Sequence, residues 1–404
     1  MQPARGARQG VLIAALGYFV DIYDLILFAI VRKKSLADIG VLPDRVLDTG
    51  VLLINMQMGG MLIGGIAWGI LGDKRGRISV LFGSIILYSL ANIANSFVHT
   101  VPEYAIARFI AGVGLAGELG AGITLVSESL GKETRGYGTT IVATVGITGA
   151  VVGVLVAGLV SWRTSYVIGG CLGLGLLVLR VGVYESGMFE KIKTSNVSRG
   201  NFFMLFANAR RAMRYVGIIL VGVPIWYAVG ILVTFSPEIG AALGMKPAPE
   251  AAKAVMWCYI GLAAGDFGSG ALSQIMRSRK RVLLGFLILT SVAIAAYFVV
   301  GARSLVTFYG VCTLLGFATG YWAVFVTVAA EQFGTNVRAT ATTTAPNFVR
   351  GAVVPLTLVF AALKPRLGVP WAAAAVGIGT MLVAFLALRA LDETYGKDLE
   401  YLER

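Results

Sequence analysis

ESLGKETR at residues 128–135 and EQFGTNVR at residues 331–338 share the pattern Glu-x-x-Gly-x-x-x-Arg at an offset of 203 residues. Eight residues are a short match, but each copy follows an apolar run at the same place in one half of the chain. Parallel duplication of a helical bundle leaves this trace. Outward from these two copies, charge-poor runs of the roughly 20 residues that a membrane helix needs recur from Val11 to the region of Ala390. They number twelve, six on either side of the polar stretch from Glu185 to Arg214. The predicted fold is therefore all-α and integral to a membrane, with twelve transmembrane helices in two pseudo-symmetric six-helix bundles. Residues 1–184 form the first bundle, 185–214 a linker, 215–391 the second bundle and 392–404 a tail.

Composition agrees. Of 404 residues 57% are hydrophobic and 14% charged, an excess of apolar surface that one soluble core cannot hold. A formal charge of +13 in a soluble protein would suggest nucleic acid, but here it follows the membrane sides. With span-edge cations counted in their adjoining loops, 21 of the 34 Lys/Arg fall on the side of the two termini, 10 on the other and 3 inside spans. By the positive-inside rule both termini are cytoplasmic. Met1 to Gly10 lead straight into a full-length span, so the first helix is expected to act as its own insertion signal.

Enzyme chemistry finds no footing. His99 is the sole histidine and lies at a membrane edge, so no His-based dyad or triad can form. Cys171, Cys258 and Cys312 fall within spans without metal-type spacing. No catalytic residue, metal or organic cofactor is expected, and no domain for signalling is apparent.

Ionised groups inside the bilayer cost about 2.5–3.5 kcal/mol each on insertion scales, so each calls for a partner or a task. The candidates are Asp21, Asp24, Arg108, Glu118, Asp266 and Arg350. Asp21 and Asp24 share a face of the first span, where a buried carboxylate can take up and release a proton as its surroundings change. Glu118 is a second proton site or gate on one reading and a hydrogen-bonded packing residue on the other. The positions offset by 203 from Asp24, Arg108 and Glu118 are Tyr227, Val311 and Tyr321, so the second half does not repeat this set. It offers Trp226, Tyr227, Tyr321, Trp322, Asn347 and Arg350 instead, which suit a small organic solute. Arg350 lies too deep to snorkel and must meet a substrate carboxylate, Asp266 or another partner.

Gly69 to Arg77 read GILGDKRGR and match the signature G-x-x-x-D-R/K-x-G-R-R/K, apart from its last position at Ile78. With Arg108, Gly112 and Gly114 in the fourth span and the tail ETYGKDLE at 393–400, the whole chain resembles the major facilitator superfamily. Asp21-Ile-Tyr-Asp24, Gly117-Glu118 and ESGMFE at 185–190 look most like its proton symporters for organic acids, related to the sugar porters. The resemblance implies a monomeric plasma-membrane transporter, in bacteria an inner-membrane one, working by alternating access with the proton as coupling ion. It implies that Asp24 pairs with Arg108 for coupling, and that Asp73, Arg77, Glu128, Arg135, Glu331 and Arg338 latch the two halves on the cytoplasmic side. The helix dipole where the eleventh span starts, near Ala339, gives Asp73 a physical reason for that place. A neutral or zwitterionic solute such as a sugar, or proton antiport, is the alternative. The fifth span lacks the Gly-Pro motif of the drug antiporters, having GITGA at 146–150.

Overall fold

The computed structural model describes residues 2–130, 134–180, 201–398 and 401–402, with side chains from residue 10 onward except those of 127–129, 135 and 180. Helices dominate the described residues, and no strand occurs among them. The first half contains α1 (Gln2–Asp38), α2 (Val46–Arg75), α3 (Arg77–Asn95), α4 (Val101–Leu115), α5 (Glu118–Ser129), α6 (Arg135–Leu159) and α7 (Trp162–Arg180). The second begins with α8 (Ala209–Tyr227), which continues through a π-helical segment (Ala228–Val233) into a short α9 (Ser236–Ala242). Then come α10 (Ala251–Ile275), α11 (Arg279–Val299), α12 (Leu305–Thr319), α13 (Trp322–Glu331), α14 (Arg338–Gly351) and α15 (Val353–Arg389).

Among the described residues ten stretches are long and apolar enough to cross a bilayer. One of them, Arg338–Arg389, holds two spans, because Gly368 at φ 74° turns the chain inside α15. The helix α10 is a further span, whose Gly, Ser and Asp266 dilute its hydropathy. Twelve spans result. The second bundle begins earlier than the expected residue 215: Asn208 accepts a hydrogen bond from the Arg211 N–H at 2.8 Å and starts α8 at Ala209. Residues 185–200 of the expected linker lie outside the described residues.

The fourth and tenth spans are both broken, at Ala116–Gly117 between α4 and α5 and at Gly320–Tyr321 between α12 and α13. Duplication also governs packing. A Cβ at Gly60 or Gly64 of α2 would run into the carbonyls of Phe109 or Val113 on α4. Gly261 and Gly265 of α10 stand the same way against the carbonyls of Thr313 and Phe317 on α12. Small residues four apart let membrane helices approach through their backbones, where dispersion rather than hydrophobicity binds them. The halves meet chiefly where α14 packs on α2 and α10 on α6. Threonine hydroxyls tie the seam, Thr124 to Thr342 at 2.5 Å and Thr139 to Thr327 at 2.7 Å.

Candidate transport site

Asp21 sits halfway along α1, fully buried, and one carboxylate oxygen accepts a hydrogen bond from the Arg350 guanidinium of α14 at 3.3 Å. The pair joins the two halves. The Arg350 guanidinium also lies 5.8 Å from the Trp226 ring centre and 5.6 Å from that of Trp322, so aromatic faces replace part of its lost hydration. Trp226 and Trp322 line a cavity between the halves with Tyr18, Ile22, Tyr259 and Leu262. Its volume is about 20 Å³, room for roughly one water. An arginine fork beside flat aromatic walls is suited to hold a carboxylate with a ring attached.

Asp24 and Arg108, expected to pair, do not. Arg108 donates to the Gln57 amide oxygen and to the Tyr166 hydroxyl (3.4 Å), with its guanidinium 5.1 Å from the Phe28 ring centre. Gln57 and the rings satisfy the cation without a carboxylate. Asp24 turns towards α7, where a Cβ at Gly169 would strike its Oδ1. Neither of its oxygens accepts a hydrogen bond among the described residues, and the unpartnered Asn92 amide of α3 lies alongside. A hydroxyl chain leads away from Arg108, Tyr166 to Tyr104 at 2.8 Å and Tyr104 to Ser35 at 3.4 Å.

Asp266 does not meet Arg350 either. Its Oδ1 accepts the Ala323 N–H at 2.9 Å and so caps α13, whose first amides the break at Gly320–Tyr321 leaves without helical acceptors. Glu118 occupies the first turn of α5, at the matching break in the first half, and is buried. Asn347 spans the halves there, donating to the Ala116 carbonyl at 2.7 Å and to Thr343 of its own helix. Tyr227 and Tyr321 spend their hydroxyls on the carbonyls of Ala373 (2.7 Å) and Val221 (2.9 Å). Of the six second-half residues picked out in the sequence, Trp226 and Trp322 line the cavity and Arg350 lies against both of their rings.

Both ends of the seam are shut. At the end that carries the C-terminal segment, Asp73 of α2 accepts from the backbone N–H of Ala339 (3.1 Å) and Thr340 (2.7 Å) and from the Thr340 hydroxyl (2.6 Å). It thereby caps α14 across the halves, with Arg77 at 3.6 Å. Arg338 bonds the carbonyls of Ala330 and Phe333 (3.1 and 3.2 Å), holding the turn before α14. Glu331 pairs with Arg279 at 3.3 Å and accepts from Thr394 at 2.8 Å. The side chains of Glu128 and Arg135 lie outside the described residues. Burial tends to raise the Glu393 pKa, but hydrogen bonds from Ser278 and from the amides of Tyr395, Arg279 and Lys280 outweigh it and hold the carboxyl below its usual value.

At the other end Arg32 of α1 meets Glu238 of α9 through both carboxylate oxygens, at 2.9 and 3.0 Å. Arg32 is fully buried, donates to the Thr234 carbonyl and lies 4.9 Å from the Phe235 ring centre. Sequence reading passed over this pair, because Arg32 counted as one loop cation among several. The signal was present in its place: a base at the end of the first span and an acid at the same end of the seventh. Gln57 and Tyr166 were missed because an uncharged amide and a tyrosine inside a span look like packing.

Two six-helix bundles that close on a buried ion pair, with a polar seal at either end, define a membrane transporter of small molecules rather than an enzyme. The chain belongs to the Major Facilitator Superfamily, whose model matches residues 14–354. It is 29% identical over 321 residues to the 3-(3-hydroxy-phenyl)propionate transporter of Escherichia coli K12, covering 72% of this chain and 74% of that one. It is 25% identical over 361 residues to the niacin transporter NiaP of Acinetobacter baylyi, covering 81% and 80%. Among solved structures the proton:xylose symporter XylE bound to 6-bromo-6-deoxy-D-glucose superposes with a TM-score of 0.76 over 98% of both chains. At 16% identity that likeness speaks for the fold alone.

Proposed function

We propose that the protein takes up a small carboxylate-bearing metabolite, with a ring flat enough to stack on Trp226 and Trp322, together with protons. The observation that carries this reading is the Asp21–Arg350 pair, buried between the halves and flanked by both tryptophans. Two relatives named for acids, the 3-(3-hydroxy-phenyl)propionate and niacin transporters, support the substrate class.

A mechanism follows from competition for one guanidinium. With Asp21 ionised, the pair satisfies both charges and Arg350 has little to offer an anion. A proton on Asp21 removes the competitor, and the substrate carboxylate takes its place on Arg350. In the loaded carrier the charge on Arg350 is balanced by substrate, in the empty carrier by Asp21. Either state can cross between outward and inward openings, whereas a carrier with an unpaired buried charge cannot do so cheaply, since breaking such a pair costs about 3–5 kcal/mol. Asp24, buried beside the Asn92 amide and without an ion-pair partner within 4 Å among the described residues, serves as a second proton carrier in the first half, and Glu118 serves the break of the fourth span. Arg32–Glu238 seals the outer side, and Asp73 with Arg77, Arg338, Glu331, Glu128 and Arg135 belongs to the cytoplasmic latch. The positive-inside count supports cytoplasmic termini in a bacterial inner membrane, and the family supports a monomer.

The test is uptake into proteoliposomes of radiolabelled benzoate, nicotinate, 3-phenylpropionate and xylose under an imposed inward proton gradient. Accumulation of an aromatic acid, abolished by a protonophore, is the expected result. Accumulation of xylose with no competition from any acid would overturn the reading.

A further inference from the structure

The turn between α10 and α11 repeats, in the second half, the loop that carries Asp73 in the first. At the offset of 203 the place of Asp73 is taken by Met276, so this turn has no acid to lay on a helix across the seam. Arg279 turns inward to Glu331, and Arg277 and Arg281 are left facing outward. Arg277 is the one described residue other than glycine with a positive φ, at 48°. That conformation is uncommon for a residue with a side chain. It closes α10 and places Arg277 beside Arg281, which follows half a turn into α11.

Met276, Arg277, Ser278, Lys280, Arg281 and Glu393 line an open cavity of about 370 Å³. Glu393 is already spent, accepting from the Ser278 hydroxyl (2.5 Å) and the amides of Arg279 (2.9 Å) and Lys280 (3.2 Å) at the start of α11. Lys280 is spent as well, its ammonium on the Leu391 carbonyl at 2.6 Å. Arg277 and Arg281 are exposed, and among the described residues their guanidinium groups hold no hydrogen bond or ion pair, their only bonds being those of the backbone amides. Two free guanidinium forks thus share one concave site whose own carboxylate is turned to another use.

Apolar side chains are exposed along both helices next to the cavity. Leu284 and Ile288, 44% and 52% exposed, continue the Arg281 stripe down α11 at helical spacing. On α10, Ile275 and Phe267 are exposed by 78% and 63%, two turns apart. A cationic pocket at the edge of the hydrocarbon, continuous with an apolar strip on two adjacent helices, matches a molecule with a phosphate head and acyl chains. We propose that this pocket binds the phosphodiester of an anionic phospholipid in the leaflet on the side of the C-terminal segment, with Arg277 and Arg281 as its ligands. The site depends on the membrane placement of the helices and not on which solute is carried.

Native mass spectrometry of the purified full-length protein, titrated with phosphatidylglycerol or phosphatidylcholine of identical acyl chains, reads the binding directly. Wild type is expected to retain phosphatidylglycerol in preference to phosphatidylcholine. Each basic residue at a membrane surface contributes about five-fold, so Arg277→Gln/Arg281→Gln is expected to lose about 30-fold in phosphatidylglycerol affinity. Arg281→Gln alone, which leaves the strained turn intact, loses about five-fold. The control Lys74→Gln/Arg75→Gln, on the matching turn of the first half, keeps wild-type affinity. Equal losses in that control, equal retention of phosphatidylcholine, or displacement of the lipid by millimolar inorganic phosphate would each overturn the proposal.

Discussion

Replacing Asp21 by Asn removes the internal competitor for Arg350 and keeps the side chain's shape. At the 3.3 Å separation of the pair, with an effective dielectric constant of about 20, the attraction lost is about 5 kcal/mol. A substrate carboxylate seated on Arg350 regains most of it, so the net gain in substrate affinity is expected to be about 1.4–2.8 kcal/mol, ten- to a hundred-fold in Kd. The gain has a definite pH dependence. Compared at about pH 6 and about pH 8, wild type is expected to bind the acid less tightly at the higher pH, where an Asp21 without its proton competes for Arg350. In Asp21→Asn nothing at this position titrates, and affinity stays nearly flat at the tighter value. Scintillation-proximity binding of the labelled acid to purified protein at both pH values measures this. Paired transport assays separate binding from coupling: counterflow exchange survives in the variant, and gradient-driven accumulation is lost. A flat wild-type profile, or accumulation by Asp21→Asn at the wild-type level, would refute the competition.

Four further outcomes follow from the same geometry. Asp73→Asn keeps the side chain's size but weakens the cap on α14 by about 1–3 kcal/mol, raising alkylation of single cysteines placed on the tail side of the seam. Glu238→Gln leaves Arg32 buried with a neutral partner, so cysteines on the opposite side label faster while substrate Kd moves less than about two-fold. Trp322→Leu removes a stacking wall and half of the aromatic surround of Arg350, and is expected to weaken an aromatic acid about ten-fold or more but an aliphatic acid much less. Asp266→Ala uncaps α13 and should lower stability by about 1–2 kcal/mol in thermal melts, while Asp266→Asn recovers most of that loss.

The sequence carried the architecture because lipid allows so few solutions: apolar runs of spanning length become helices, and a repeated octapeptide at equal depth marks duplication. It placed Asp73 near the start of α14 for a sound reason, since a helix N-terminus draws a negative charge, and the carboxylate does lie on the amides of Ala339 and Thr340. Partner assignments fared differently. Arg108 was assigned to Asp24 through the family resemblance, yet an amide and two rings satisfy it, and those residues carry no mark in a sequence. Asp266 was weighed against Arg350, but the break at Gly320–Tyr321 creates a nearer demand for its carboxylate, and a helix break inside an apolar run leaves no clear sign. The Asp21–Arg350 contact joins residues 329 apart, side chain to side chain from α1 to α14, a relation set by the closure of the two halves and by nothing local.

The central claim, that the acid enters with a proton, is tested most directly by proton movement itself. Proteoliposomes loaded with a pH-sensitive dye, at equal internal and external pH, are given an aromatic acid, with Arg350→Gln vesicles as the control for passive permeation. Faster acidification of the lumen by wild type than by the control is the result expected, with the excess abolished in Asp21→Asn. Lumenal alkalinisation, or wild-type acidification no faster than the control while labelled acid still enters, would contradict proton symport.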